Sequence, residues 1–181
     1  MMELCTTEIN KFLKQEVRFL GAFPCNRIPK TKLRPPYGII LNTDRDDQPG
    51  SHWTSVFVSA DGHGEYFDSF AFPPLKQEIV DFLTLQDTCF CISQVVIQHP
   101  SSVACGHFAI GFILARLKGI SFENYLTKFE SNNLLENDQL ILKWNSSFQI
   151  ATYAKYVQSL MRKVSSIPQA KNHASCQWSC Q

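Results

Sequence analysis

The chain has 181 residues, of which 44% are hydrophobic and 18% charged, and this composition excludes a wholly disordered protein. Its 17 lysines and arginines against 16 aspartates and glutamates leave a formal net charge of +1, which excludes a general electrostatic attraction to polyanions. A chain of this length is expected to form one domain with a sizeable core.

Neither a transmembrane helix nor a signal peptide is predicted. The longest nearly apolar stretch, Val103–Leu117, contains His107 and is shorter than the roughly 20 residues that cross a bilayer. Residues 1–14 carry charged side chains where a signal peptide has an apolar run. Seven cysteines without repeated spacing are typical of free thiols in a reducing compartment. We therefore expect an intracellular protein that binds no membrane.

The first predicted elements are a helix and a strand. Apolar residues recur at helical spacing over Ile9–Leu20, with Thr6 or Thr7 available as the N-cap. Four prolines between residues 24 and 36 then predict a loop. The short apolar run Tyr37–Leu41 that follows is typical of a strand.

Two β-rich segments, residues 52–59 and 65–70, predict a hairpin. A three-residue loop that ends in a left-handed Gly62 would fix the register of its two strands. In that register, Asp68 is the diagonal neighbour of His52 on one face of the sheet. The hairpin therefore predicts a contact between these two side chains.

Helical and strand patterns alternate in the second half of the chain. Leu75–Leu83 has helical spacing, and Phe90–Gln98 is rich in β-branched residues. Cys105–Leu117 is apolar nearly all round, as in a helix buried at the centre of a domain. Amphipathic spacing over Ile150–Val164 predicts a last helix that packs on the core.

These patterns predict one α+β domain over residues 1–164, with a central mixed or antiparallel sheet flanked by helices. Residues 165–181 are polar and lose all periodicity, which predicts a mobile tail. The tail contains His173, Cys176 and Cys180, but their spacing fits no strong zinc pattern, so no metal site is predicted.

A constellation of polar residues in a fixed order is more specific than any one of them. Taken singly, a strand-end histidine, a turn carboxylate and a buried cysteine each have an ordinary structural role. Here His52-Trp53 is followed by Asp68-Ser69, then by Gln98, and then by Cys105-Gly106-His107-Phe108. The seven-residue step from Gln98 to Cys105, with one proline and two serines between them, is the most specific element.

This order resembles the adenovirus-type cysteine endopeptidases, the adenain family, and more distantly the SUMO-deconjugating proteases of the same clan. The resemblance covers roughly the first two thirds of the chain. It implies a papain-like core in permuted order, with Cys105 as nucleophile, His52 as general base, Asp68 as the group that orients the histidine, and Gln98 as an oxyanion donor. Adenovirus enzymes usually carry glutamate at the position of Asp68, whereas SUMO proteases carry aspartate.

Physical chemistry supports these roles separately. Cys105 begins a predicted helix, where unpaired N–H groups and the positive end of the dipole favour a thiolate. Gly106 lets substrate approach the backbone, so the Cys105 amide and the Gln98 side chain together supply two donors to an oxyanion.

The resemblance implies a thiol protease that needs no cofactor for its chemistry and acts on a protein or polyprotein, as in viral maturation. Such a protein is expected in the host cytoplasm or nucleus, or packaged in virions. One alternative is an isopeptidase that removes SUMO or ubiquitin-like proteins with the same four residues. The other is a catalytically silent binding module of the same fold.

Three further features carry alternatives. Trp53 is a candidate wall of a narrow substrate slot or a core tryptophan. Cys89 and Cys91 lie where the resemblance implies a disulfide to an activating peptide, or one of them belongs to the core. Four cations without an intervening acid form either a nucleic-acid patch or a solvated basic loop; they are Arg27, Lys30, Lys32 and Arg34.

Overall fold

A five-stranded mixed sheet organises residues 3–148, the part of the chain that this computed structural model describes. Its strands have the same order in space as in the chain: β1 (Phe19–Pro24), β2 (Tyr37–Asn42), β3 (Trp53–Val58), β4 (Gly64–Phe67) and β5 (Phe90–Ile92). The central strand β3 is antiparallel to both β2 and β4, and each edge strand pairs in parallel with its neighbour. The predicted α+β class is confirmed.

Helices cover both faces of this sheet. They are α1 (Thr6–Phe12), α2 (Gln77–Leu85), α3 (Cys105–Leu117), α4 (Phe122–Leu126) and α5 (Leu134–Phe148), with a short 3₁₀ helix at Cys25–Arg27. Alternation along β2 divides the core, because Ile40 packs with α1, α3, α4 and α5, whereas Ile39 and Leu41 pack with α2 on the other face. Since both faces are covered, every residue of β2 is buried.

The central helix α3 begins and ends where the sequence predicts. Ten of its residues are buried, in keeping with its apolar composition on all sides. Phe112 stacks on Phe67 of β4, with ring centroids 4.9 Å apart. Gly111 lets α5 approach closely, because a Cβ at this position would lie 2.6 Å from the side chain of Ile141. Helix α3 is thereby fixed between the sheet and α5.

The predicted register of the β3–β4 hairpin is confirmed. Gly62 is left-handed with φ 87°, and the Ser59 amide donates to the His63 carbonyl at 2.9 Å. Further along the strands, Ser55 pairs with Phe67. The first residues beyond the paired strands therefore meet at one end of the sheet.

Two predicted elements end much earlier in the structure than the sequence indicates. The first helix ends at Phe12 rather than Leu20, because the chain turns and Phe19–Pro24 pairs with β2 as an edge strand. The predicted strand Phe90–Gln98 ends at Ile92, because the Ser93 side chain bonds the backbone of Asp68 and the chain then crosses the end of β4.

The helices α4 and α5 carry no prediction from the sequence. Ser121 caps α4 through a bond from the Asn124 amide, whereas α5 presents a mixed polar surface without a clear apolar stripe. The predicted helix Ile150–Val164 and the tail 165–181, with the domain boundary between them, lie outside the described residues. Over residues 3–148, no helix has both the length and the apolar character needed to cross a membrane.

An ion pair between β4 and α3 gives a test of how strongly the sheet is joined to the central helix. Glu65 accepts from Arg116 at 2.5 Å, and both side chains are 12% exposed. Glu65→Ala leaves the guanidinium largely buried without its carboxylate, so we expect the free energy of unfolding to fall by about 3–5 kcal/mol. Urea denaturation measures this loss.

Lys32→Ala is the matched control, because it removes an exposed ion pair. The Lys32 side chain is 58% exposed and that of its partner Asp87 is 86% exposed. We expect its denaturation midpoint to match that of the unmodified protein. An equally small change in Glu65→Ala would contradict a structural role for the Glu65–Arg116 pair.

Candidate active site

The catalytic candidates meet at the end of the sheet where β3 begins and β4 ends. His52 immediately precedes β3 and Asp68 immediately follows β4, and His52 Nε2 lies 2.7 Å from Asp68 Oδ2. Asp68 is 1% exposed, and its other carboxylate oxygen accepts from the Phe70 amide at 2.7 Å. The Ser93 hydroxyl holds the Asp68 backbone on both sides, donating to its carbonyl and accepting from its amide. The carboxylate is therefore fixed in place.

Cys105 lies at the N-terminus of α3 and hydrogen-bonds the His52 imidazole. Because Nε2 faces Asp68, Nδ1 is left for the thiol. Burial of the ring opposes its charge, but the bonds to Asp68 and Cys105 outweigh burial and raise the pKa of His52 to about 9. The imidazole is thereby placed next to the Cys105 sulfur, where it can exchange a proton with the thiol.

Gln98 is completely buried, and each end of its amide has partners. Ser69 donates to Oε1 at 2.6 Å, while Nε2 donates to the carbonyl and the hydroxyl of Ser102 at 3.0 and 3.1 Å. These partners direct the N–H groups of the amide toward the loop that leads into α3. Asp68 and Ser69 thus hold two different catalytic candidates, the histidine and the glutamine.

Helix α5 supports this loop through residues that sequence reasoning missed. Asp138 accepts from the His99 amide at 3.3 Å and hydrogen-bonds Ser102. Asn137 donates to the Ile97 carbonyl at 3.0 Å. Ser69 and Ser102 stand inside the recognised motifs, which could have drawn attention to them, but nothing in the sequence links Asp138 to a loop some forty residues earlier.

His107 is not a second base for the nucleophile. Its Nδ1 accepts from Asn145 at 3.0 Å, and burial lowers the pKa of His107. A neutral ring held by an α5 side chain has a structural role.

The chain gives no match to any protein-family model. It is 29% identical over 126 residues to a cysteine protease of African swine fever virus from a Malawi tick isolate, over 61% of this chain and 42% of that protein. It is 28% identical over 118 residues to the SUMO-1 cysteine protease of a South African tick isolate, over 58% of this chain and 39% of that protein. The chain resembles viral cysteine proteases. It spans about two fifths of the length of these relatives.

Solved structures show the same fold. The crystal structure of the African swine fever virus protease matches with a TM-score of 0.53 at 19% identity, over 77% of this chain and 66% of that one. Its selenomethionine form matches with a TM-score of 0.50 at 18% identity, over the same shares. The α+β arrangement and the resemblance to cysteine proteases predicted from the motifs are thus confirmed.

Trp53 and Gly106 lie together on the buried side of α3. The Trp53 side chain is 3% exposed and its indole N–H donates to the Leu4 carbonyl at 2.9 Å. A Cβ on Gly106 would lie 3.2 Å from both Leu4 and Trp53. The structure therefore gives both residues a packing role, consistent with a core tryptophan, and the substrate slot stays a prediction.

The predicted accessory residues lie on two segments, one around β5 and one that begins just after β1. Cys89 and Cys91 are both exposed, at the start of and within the edge strand β5. In the basic segment, Arg27 pairs with Asp46 at 2.6 Å and Lys32 pairs with Asp87 at 3.1 Å. These acids offset two of the four charges, and this weakens the argument for a nucleic-acid patch that includes Lys30 and Arg34.

The pKa of His52 gives a direct test of the Asp68 contact. Asp68→Asn removes the carboxylate that raises this pKa, so the His52 ring should release its proton at least about one pH unit lower than the wild-type midpoint near 9. Because the folded pKa exceeds the ordinary 6.5, protonation stabilises the wild-type fold fully below pH 6.5, and this stabilisation is lost as the pH rises toward 9. The variant should lose less stability over that range.

NMR titration of the ring protons measures both forms. An unchanged His52 midpoint in Asp68→Asn would refute the proposed cause.

Gln98 gives a second test. In Gln98→Ala, kcat for a cleaved peptide should fall by roughly 10²–10³, the usual cost of one oxyanion donor. Gln98→Glu should also fail, because a carboxylate repels the developing negative charge. Gln77→Ala, at an exposed position on α2, is the matched control. Full turnover by Gln98→Ala would place the oxyanion donors elsewhere.

Proposed function

We propose that this chain is a cysteine endopeptidase that cleaves viral polyproteins or capsid proteins during maturation. One observation carries the proposal: His52 hydrogen-bonds both Asp68 and Cys105, at the N-terminus of a buried helix. The names of the related African swine fever virus proteins support both the thiol chemistry and the viral setting.

The chemistry begins with the ion pair of Cys105 and His52. The Cys105 sulfur attacks the carbonyl carbon, and the Cys105 amide with one N–H of Gln98 stabilises the oxyanion. In this step the Gln98 N–H leaves its bond with Ser102. The C–N bond then breaks, the His52 imidazolium gives its proton to the departing amine, and a thioester remains.

Water completes the cycle. Its oxygen attacks the thioester carbon while neutral His52 takes a proton, and the C–S bond breaks to release the acid. The thiolate of Cys105 and the imidazolium of His52 are thereby restored. Asp68 stays ionised throughout and holds the ring in place.

The second candidate function is removal of SUMO or another ubiquitin-like protein. The name of one relative, a SUMO-1 cysteine protease, favours it. The same four residues would act, with a lysine side-chain amine as the leaving group after a Gly-Gly tail. A catalytically silent module would keep the geometry without turnover.

One experiment separates these functions. The purified chain is incubated with a proteome-derived peptide library and, separately, with SUMO-1 carrying a C-terminal extension or an isopeptide-linked lysine. We expect internal cleavage of peptides, lost by at least about 10³-fold in Cys105→Ser and in His52→Ala. Mass spectrometry of the products gives the readout.

Cys25→Ser is the matched control, because Cys25 is a buried cysteine on the opposite face of the sheet. It should cleave like the wild type. Cleavage of the SUMO-1 substrates alone would establish the second function, and no cleavage of either substrate would favour a silent module.

Two kinds of stimulation stay predictions. An activating peptide would attach by a disulfide to exposed Cys89 or Cys91, and nucleic acid would bind the basic segment that contains Lys30 and Arg34. Host compartment and packaging in virions are likewise expectations from the resemblance.

A further inference from the structure

Two aromatic side chains extend from the catalytic histidine toward solvent. The Phe70 ring lies against His52, with ring centroids 5.3 Å apart, and the Phe72 ring lies 6.0 Å from Phe70. Phe70 is half-buried, but Phe72 is 53% exposed. We call this pair the Phe70–Phe72 shelf. An exposed aromatic ring contributes little to the core, so folding alone does not explain the outer half of the shelf.

The backbone that presents the shelf is tightly held. Asp68 accepts from the Phe70 amide through its side chain and from the Ala71 amide through its carbonyl. Between the two rings, Ala71 has φ 59°, a left-handed conformation that a residue with a Cβ rarely adopts. Pro73 and Pro74 follow and stiffen the chain beyond Phe72. Strain of this kind is concentrated where a surface must be presented in one orientation.

The proton transfer from His52 indicates which side of the substrate lies next to the shelf. In the cleavage step His52 gives a proton to the departing nitrogen, so the leaving side of the substrate lies against the imidazole. Side chains packed on the outside of that ring are next to the first residues after the scissile bond. An apolar side chain there would cover Phe72 and remove both surfaces from water.

We propose that the Phe70–Phe72 shelf determines specificity by binding a large apolar side chain in the first two residues after the scissile bond. This inference rests on the proposed peptidase function and adds the substrate side that function leaves open. It concerns the leaving side alone, and the residues before the bond are recognised elsewhere.

The test reads the new amino termini that the enzyme creates. A peptide library prepared by digesting a cell proteome after lysine is incubated with wild-type protein, and the products are sequenced by mass spectrometry. We expect leucine, isoleucine, methionine and aromatic residues to be enriched about fivefold or more in the first two positions. For one peptide chosen from these products, replacing its apolar residue by serine should lower kcat/KM about tenfold.

Three variants assign the preference to the shelf. Phe72→Ser should bring the enrichment close to the library composition without changing the preference before the bond, and Phe72→Leu should restore most of it. Val17→Ser is the matched control, since Val17 is 96% exposed and precedes the start of β1, at the end of the sheet away from His52. Melting temperatures check that each variant is folded.

The outcomes are separable. Wild-type cleavage without apolar enrichment, or enrichment that survives in Phe72→Ser, overturns the shelf while leaving the peptidase function intact. Absence of any Cys105-dependent product overturns the peptidase function and the shelf together.

Discussion

The register of the β3–β4 hairpin is the constraint on which the candidate site depends. His52 and Asp68 lie just outside the paired residues, one before β3 and one after β4, and the register brings their side chains to a contact of 2.7 Å. A slip by one residue would turn alternate side chains to the other face of the sheet. The left-handed Gly62 lies at the far end of the hairpin, yet by fixing the turn it contributes to the geometry of the site.

The side chains of the adjacent residues Asp68 and Ser69 contact different partners, so the register of the hairpin positions both partners at once. Asp68 holds His52 and Ser69 holds Gln98, so one dipeptide positions the proposed base and the proposed oxyanion donor. The same turn continues into Phe70, whose amide bonds the Asp68 carboxylate. The orientations of His52, of the Gln98 amide and of the Phe70–Phe72 shelf consequently depend on one short segment of backbone.

Sequence patterns predicted the parts of this site that depend on local rules. The turn chemistry of Gly62 predicted the hairpin, and a nearly continuous apolar composition predicted the limits of Cys105–Leu117. Local rules failed where tertiary contacts decide: residues 19–24 became a strand because β2 offers an edge, and α5 formed without a clear apolar stripe. Asp138 could not be predicted, because its contact with the Gln98 loop exists only once α5 has packed on α3.

The order of these parts along the chain also affects when the site can exist. Translation produces His52 and Asp68 first, Gln98 and Cys105 later, and the α5 side chains that support the Gln98 loop last. A nascent chain on the ribosome therefore carries the hairpin long before it carries the nucleophile helix and its support. The full arrangement of the candidate site therefore becomes possible only after residue 138 has emerged from the ribosome.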